Sequence, residues 1–300
     1  MSVVIHTENL TKFYGKNRGV IDLNLEVLQG EIFGFLGPNG AGKTTTIRTL
    51  LDFIRPTRGS ASIFGLDTRR DSLRIRKRTS YMLAELALYE NMTGAEFLRY
   101  FAHLRGGVDW RFVQELAERL KSDLSQPIHV LSRGNRQKIG LIQAFMHRPE
   151  LLILDEPSSG LDPLMQREFY NMITEARDEG RIVLLSSHIL PEMERVCDRV
   201  GIIREGCLIT VEHVVNLKER ALRRLEIRFA APVTDEVFAG LPGVSEVHIE
   251  NNVFHCTVMG SLDPFIKAVA RLSVVDLISH QPSLEEVFMA YYGGGDDYVE

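Results

Sequence analysis

Gly37-Pro38-Asn39-Gly40-Ala41-Gly42-Lys43-Thr44-Thr45 matches the pattern G-x-x-x-x-G-K-[ST] at every specified position. A chain carrying this pattern has to present a curled loop between a strand and a helix. The glycines let consecutive backbone N–H groups turn inward toward α- and β-phosphates. Lys43 adds positive charge near the β- and γ-phosphates, and the Thr44 hydroxyl is a ligand for Mg²⁺. The flanks supply the required context. Glu31–Leu36 reads as a short buried strand, and Thr44–Asp52 reads as a helix whose positive N-terminal end faces the phosphates.

The rest of the composition narrows the class. Three hundred residues suffice for a domain of about 200 residues plus a smaller one. The apolar share of 44% and charged share of 25% are those of an ordinary soluble globular chain. A net charge of −5 gives no reason to expect nucleic acid as a partner. Residues Met1–Glu8 show neither a basic n-region nor a long apolar h-region, so secretion is not expected. No apolar run approaches the roughly 20 residues that span a bilayer, so membrane association has to come through a partner. Cys197, Cys207 and Cys256 are widely spaced and odd in number, which suits packed thiols rather than a disulfide framework or a zinc site.

From the start to about Gly206, strand-like and helix-like runs alternate. Leu151–Leu154 and Ile182–Leu185 are apolar at every position, as parallel strands covered on both faces should be. Two helical stretches, Thr93–Leu104 and Trp110–Lys121, are separated by Gly106-Gly107, and Phe97, Phe101 and Leu104 recur at core spacing. This block, about residues 85–147, reads as a helical subdomain inserted into an α/β core. Beyond a basic helical stretch at Lys218–Arg224, the pattern changes to strand, helix, hairpin, helix and strand. The predicted strands are Leu225–Phe229, Val244–Glu250, Val253–Val258 and Val274–Ser279. The hairpin turns at Asn251-Asn252, the helices are Thr234–Leu241 and Leu262–Leu272, and a final helix covers Ser283–Tyr292. That order is ferredoxin-like, a small α+β domain over 225–292, with a tail at 293–300 expected to be disordered.

A phosphate loop does not by itself separate kinases, GTPases and transport ATPases. Downstream, the apolar strand Leu151–Leu154 ends in two adjacent carboxylates. Asp155 is placed to hold the Mg²⁺ shell, and Glu156 to orient and deprotonate a water attacking the γ-phosphate. Before that strand, Ser132 in Leu131-Ser132-Arg133-Gly134-Asn135-Arg136-Gln137 is placed to cap a helix whose N-terminal amides then meet an anion.

This last segment resembles the LSGGQ signature of ABC-type ATPases, and the rest of that family's set follows in order. Tyr14 resembles the aromatic residue that stacks on adenine. Ser159-Gly160-Leu161-Asp162 resembles the D-loop, and His188 the switch histidine that contacts the γ-phosphate. The resemblance covers residues 1 to about 215. It implies a P-loop NTPase with a RecA-like core and an ABC helical subdomain, which binds ATP and Mg²⁺ and hydrolyses ATP. In that family two subunits share each site, with the phosphate loop of one facing Ser132 and Gly134 of the other across the nucleotide. The implied catalytic residues are Glu156, His188 and Lys43. The implied nucleotide contacts are Tyr14, Gly37 to Thr45, Ser132, Gly134 and Asp162, and the implied metal ligands are Thr44 and Asp155. The segment Pro282–Tyr292 resembles the ending of ATPase subunits of ABC-2-type exporters, including the antibiotic and multidrug resistance group.

The resemblance thus implies a peripheral subunit at the cytoplasmic face of the membrane. Its partners are ABC-2-type permease subunits and a second copy of itself or a homologous ATPase subunit. A soluble ABC ATPase with a regulatory role is the alternative. Two motifs depart from the family. Arg133 and Asn135 stand where the signature has Gly and Gln, while Ser132 and Gly134 are retained. Ala84 stands at the Q-loop position, where glutamine is expected, with Glu85 beside it. Binding of ATP is expected to be intact, with coupling or turnover altered. The basic run Arg69–Arg78 reads as a solvated helix face, and Trp110 as a packed residue of the helical subdomain.

Overall fold

The computed structural model describes residues 2–84, 86–216, 222–234, 238, 240–250 and 253–280. The chain divides into two compact units, Met1–Glu212 and His213–Glu300. The sequence places the ATPase unit at 1–215 and the accessory unit from 225, so the division falls slightly earlier than that reading.

The first unit opens with antiparallel strands β1 (Val3–Tyr14), β2 (Asn17–Leu23) and β3 (Glu26–Leu28). Strand β4 (Ile32–Leu36) and helix α1 (Lys43–Leu50) flank the glycine loop. Strands β5 (Arg58–Ile63) and β6 (Leu66–Asp67) return to the antiparallel sheet, whose order is β2-β1-β5-β6 with β3 paired to β1. Simple strand–helix alternation therefore does not hold at the start of the chain. Residues 3–28 contain no helix, and they mix buried with exposed side chains, as a sheet with one wet face does.

The remaining elements build the central sheet and its helices. In chain order they are α2 (Ser72–Arg78), β7 (Thr79–Met82), α3 (Gly94–Leu104), α4 (Trp110–Arg119) and α5 (Arg133–Phe145). Then come β8 (Leu151–Asp155), α6 (Pro163–Asp178), β9 (Ile182–Ser187), α7 (Leu190–Val196), β10 (Arg199–Arg204) and β11 (Cys207–His213). The sheet order is β11-β10-β4-β9-β8-β7, and β4, β7, β8, β9 and β10 run parallel. Every residue of β4, β8 and β9 is buried, which explains their lack of polar alternation. Their register brings Leu36 opposite Ser187 and Asp155 opposite Ser186, all at the carboxyl end of the sheet, where open α/β sheets place their ligands.

Helices α3 to α5 are inserted between β7 and β8. Thr93 and Glu96 form a reciprocal capping box at the start of α3, which Gly106 and Gly107 end with left-handed φ values of +83° and +105°. Phe97 is buried and Phe101 partly so, but Leu104 is 65% exposed. The expected core stripe thus outruns the surface that covers it. Trp110 is partly buried, with the Arg99 guanidinium 4.7 Å from its ring centroid. Arg74 and Arg78 of α2 pair with Asp71 and Glu150, as a solvated basic face does. Cys197 and Cys256 are buried, Cys207 is partly so, and all three are unpaired thiols.

The second unit contains a four-stranded antiparallel sheet of β12 (Leu222–Phe229), β13 (Val244–Glu250), β14 (Val253–Met259) and β15 (Val274–His280). Its order, β13-β14-β12-β15, is that of a ferredoxin-like sheet. A helix at Asp263–Val269 packs Phe265 and Val269 against Leu225, Ile227 and Phe254. Arg223 and Arg224 lie in β12, not in the basic helix the sequence suggests. Alternation of Leu225, Ile227 and Phe229 into the core overrides the local helical propensity. Most of the expected helix 234–241, the Asn251-Asn252 turn, the helix 283–292 and the tail lie outside the described residues.

Between the inserted helices and β7, Arg105 donates to the carbonyls of Arg76 and Thr79, and His147 lines the same hollow with Tyr81, Phe101 and Leu104. Burial, with the Arg105 guanidinium beside it, holds His147 down to about 4 from 6.5. A histidine depressed in the fold contributes stability above its unfolded value, which is lost as pH falls from 6.5 through 4, by up to about 3 kcal/mol. Chemical denaturation at pH 7 and pH 4 is expected to show that loss in the native protein and a clearly smaller one in His147→Gln. Equal losses in both would show that His147 is not the group responsible.

Candidate nucleotide site

The loop after β4 is closed by backbone contacts that only glycine permits. A Cβ on Gly37 would stand 2.3 Å from the Ile203 carbonyl oxygen, and one on Gly42 would stand 2.7 Å from that of Gly19. Gly40 and Gly42 have φ of +79° and +112°, the left-handed region that glycine enters without strain. Gly42 is the N-cap of α1 and supplies no side-chain cap. The first amides of α1 therefore carry the helix's partial positive charge without a side-chain acceptor, which is the arrangement that binds phosphate. Lys43 is buried, and its ammonium donates to the carbonyls of Gly37 at 2.6 Å and Pro38 at 3.2 Å.

At the end of β8, Asp155 is 1% exposed and accepts from two hydroxyls. Thr44 Oγ1 donates to Oδ2 at 2.7 Å, and Ser186 Oγ donates to Oδ1. Glu156 follows with φ of +50°, an uncommon conformation for a residue with a Cβ. Its amide donates to Ser186 O at 3.1 Å. Its Oε1 lies 3.4 Å from Lys43 Nζ, and its Oε2 accepts from His188 Nδ1 at 2.9 Å. Since a carboxylate only accepts, that imidazole nitrogen carries the hydrogen. His188 in turn sits beyond Ser187, whose Oγ donates to the buried Glu192 at 2.8 Å and accepts from the Ile189 amide.

Thr44 and Asp155 offer adjacent hard oxygen donors, which fit Mg²⁺. Among the described residues no group of three His, Cys, Asp or Glu side chains forms a dedicated metal cage.

A hollow of about 240 Å³ collects Tyr14, Arg18, Gly19, residues 38–45, Ala84 and Glu156. Tyr14 is 45% exposed at the end of β1, so its ring is open to a stacking partner. Ala84 brings no polar group to this wall. Ser132 caps α5 by accepting from the Asn135 amide at 3.3 Å. It does not line the hollow, nor does Gly134. Neighbouring residues Arg133, Arg136 and Gln137 line a second hollow with Ala84, of about 390 Å³. Asp162 caps α6, accepting from the amides of Leu164 and Met165 at 3.0 Å each. One chain thus assembles Tyr14, the loop, Asp155, Glu156 and His188, and leaves Ser132, Gly134 and Asp162 elsewhere. Sequence reasoning missed Arg18 and Ser186. No spacing marks either, because pairing of β1 with β2 and of β8 with β9 brings them in.

A phosphate loop at the carboxyl end of a parallel sheet, a carboxylate pair on the neighbouring strand and an inserted helical subdomain define a nucleotide-binding cassette ATPase. The ABC transporter family pattern matches residues 20–159. The bacitracin transport ATP-binding protein of Bacillus licheniformis is 36% identical, across 98% of this chain and 99% of its own length. That of Enterococcus faecalis is 32% identical, across 98% of each. A solved structure of an ATP-binding subunit of an ABC transporter is 30% identical, with a TM-score of 0.66, across 72% of this chain and 92% of its own. The chain belongs to the ABC transporter family of ATP-binding proteins, and it is an ATPase.

The backbone clash at Gly37 yields a direct expectation. Gly37→Ala has to displace β10 from the loop and is expected to abolish nucleotide binding in an isothermal titration with ATP. Wild-type affinity in that variant would show that the loop tolerates a Cβ facing Ile203.

Proposed function

We propose that this chain is the ATP-hydrolysing subunit of an exporter whose membrane-spanning parts are separate chains, with an antibiotic or drug-like cargo selected by those chains. The observation that carries the catalytic part is the linked set Thr44–Asp155 and Lys43–Glu156–His188 at the end of one sheet. Similarity along the whole chain, second unit included, to proteins named for bacitracin transport supports the export reading. Among the described residues no helix is long and apolar enough to cross a membrane, so peripheral attachment is the arrangement proposed. The docking region proposed is about Ala84 to Leu104, where Tyr89, Tyr100 and Leu104 are exposed.

In the proposed cycle adenine stacks on Tyr14 and the phosphates enter the loop from Gly37 to Thr45. Lys43 exchanges the Gly37 and Pro38 carbonyls for phosphate oxygens, a stronger charge-assisted contact. Thr44 and Asp155 would hold Mg²⁺, which would supply neutralisation of the phosphate charge. A water attacks the γ-phosphorus as Glu156 takes its proton and the bond to ADP breaks. His188 holds Glu156 through Oε2 and faces the γ-phosphate. Ser132 and Gly134 meet the nucleotide of a second subunit, either another copy or a homologue, with Asp162 in the adjoining D-loop. Hydrolysis then loosens the pair and gates the membrane partner. A soluble regulatory ATPase of low turnover is the second reading, and Ala84 is the observation that favours it, since it can neither ligate the metal nor sense the γ-phosphate.

ATP hydrolysis by Glu156→Gln is expected to fall about 10²-fold or more, with ATP-dependent dimer accumulating on size exclusion. Hydrolysis at the wild-type rate would remove Glu156 from its role. Restoring the amide with Ala84→Gln is expected to raise ATPase rate or coupling measured with the membrane partner present. No change in either would make that departure inconsequential.

A further inference from the structure

The first two turns of α5 are fastened at three points to the loop that follows Glu156. Gln137 is 4% exposed, and its Nε2 donates to Pro157 O at 2.9 Å and reaches Glu156 O at 3.4 Å. Two carbonyls can only accept, so the amide presents its NH₂ to both. Arg133 Nη2 donates to Ser159 Oγ at 2.9 Å, and its side chain lies across Gly160. A Cβ on Gly134 would stand 2.5 Å from Gly160 O, so the helix and the loop touch through backbone alone there.

These contacts hold a strained residue. Glu156 sits at φ +50°, a conformation that is unfavourable for a residue with a Cβ and persists only when its surroundings over-determine it. Its carbonyl accepts from Gln137 and from the Ser159 amide at 3.3 Å, while its own amide is taken by Ser186. The buried amide of Gln137 is thus one of the few groups that fix the peptide planes on either side of this turn. Gln137 does not line the hollow that collects the phosphate loop, and its amide is engaged by the loop carbonyls instead.

We infer that Gln137 is a positioning residue for hydrolysis, which clamps the Glu156 and Pro157 carbonyls and thereby sets the direction of the Glu156 carboxylate, with Arg133 bracing the same loop through Ser159. The inference rests on the reading of Glu156 as the base. It has a consequence for the paired enzyme. The helix that meets the partner's ATP through Ser132 and Gly134 at its start is the helix that holds this chain's own base. Displacement at one nucleotide is therefore delivered to the catalytic carboxylate of the other through about four residues of rigid helix.

The test uses the full chain and a double-mutant cycle of Gln137→Met with Glu156→Gln, read by ATP hydrolysis, fluorescent ATP-analogue binding and thermal unfolding. Gln137→Met alone is expected to lower kcat about 10- to 100-fold, the scale of a misplaced catalytic group, with KM, nucleotide affinity and Tm little changed. Added to Glu156→Gln, it is expected to change the residual rate less than about twofold, because it acts through that carboxylate. Gln137→Glu keeps the size but sets a carboxylate against two carbonyls, and the same loss of kcat is expected. A wild-type kcat in Gln137→Met overturns the inference. So does an equal loss in both backgrounds, or a loss that follows a fallen Tm in both variants. Wild-type hydrolysis by Glu156→Gln removes the base and this inference together, whereas an inactive Glu156→Gln beside a fully active Gln137→Met removes the inference alone.

Discussion

One buried carboxylate joins the parts on which the site depends. Asp155 ends β8, accepts from Thr44 on α1 and accepts from Ser186 on β9. It sits almost wholly out of water beside Glu156, and the buried Lys43 ammonium lies within reach of that second carboxylate. Two adjacent acids against one lysine leave an excess of negative charge, which a divalent cation is suited to offset. The hydrogen bonds meanwhile hold α1, β8 and β9 in one register. Loss of Asp155 would uncouple helix α1 from the strand that leads into Glu156.

The glycine loop and the strained Glu156 are two uses of the same sheet. Gly37 and Gly42 permit backbone approaches that no Cβ tolerates, so amides crowd where phosphate binds. Glu156 accepts a left-handed backbone so that its carboxylate turns back toward Lys43 and His188 rather than continuing along β8. In both cases a locally unfavourable geometry persists because strands buried on both faces leave the chain no room to relax. The second unit has a different logic. Its sheet buries one face through Leu225, Ile227, Phe229 and Phe254, which pack as one apolar cluster with Phe265 and Val269.

The two departures from the family are not equivalent in physical terms. Arg133 replaces a glycine, yet it points its guanidinium at Ser159 and leaves Gly134 free to approach Gly160. The substitution adds a contact without filling the turn. Ala84 removes an amide from a wall that faces the phosphate loop, and it lines both hollows. The loss is one of chemistry, not of space.

Much of the core was legible because its signals are local. The loop pattern, the all-apolar runs before Asp155 and in Ile182–Leu185, and the Thr93 cap each act within a few residues. So did the alternation in β12 to β15, which indicated the ferredoxin-like order. Arg223 and Arg224, expected to end a basic helix, lie in β12 because helical propensity is a weak preference that core packing of Leu225 and Ile227 reverses, while Lys218–Ala221 lie outside the described residues. Leu104 was misassigned because periodicity identifies a stripe without saying where its cover ends. The sequence by itself determined that this chain has a phosphate-binding loop, a carboxylate pair and a signature turn, since each is a short run whose chemistry follows from its residue types. Only the tertiary structure decided that Ser186 shares Asp155 with Thr44, that His188 holds Glu156, and that Gln137 clamps the loop behind it. Those pairs lie 19 to 111 residues apart, and strand order and register, which no local pattern encodes, bring them within hydrogen-bonding distance.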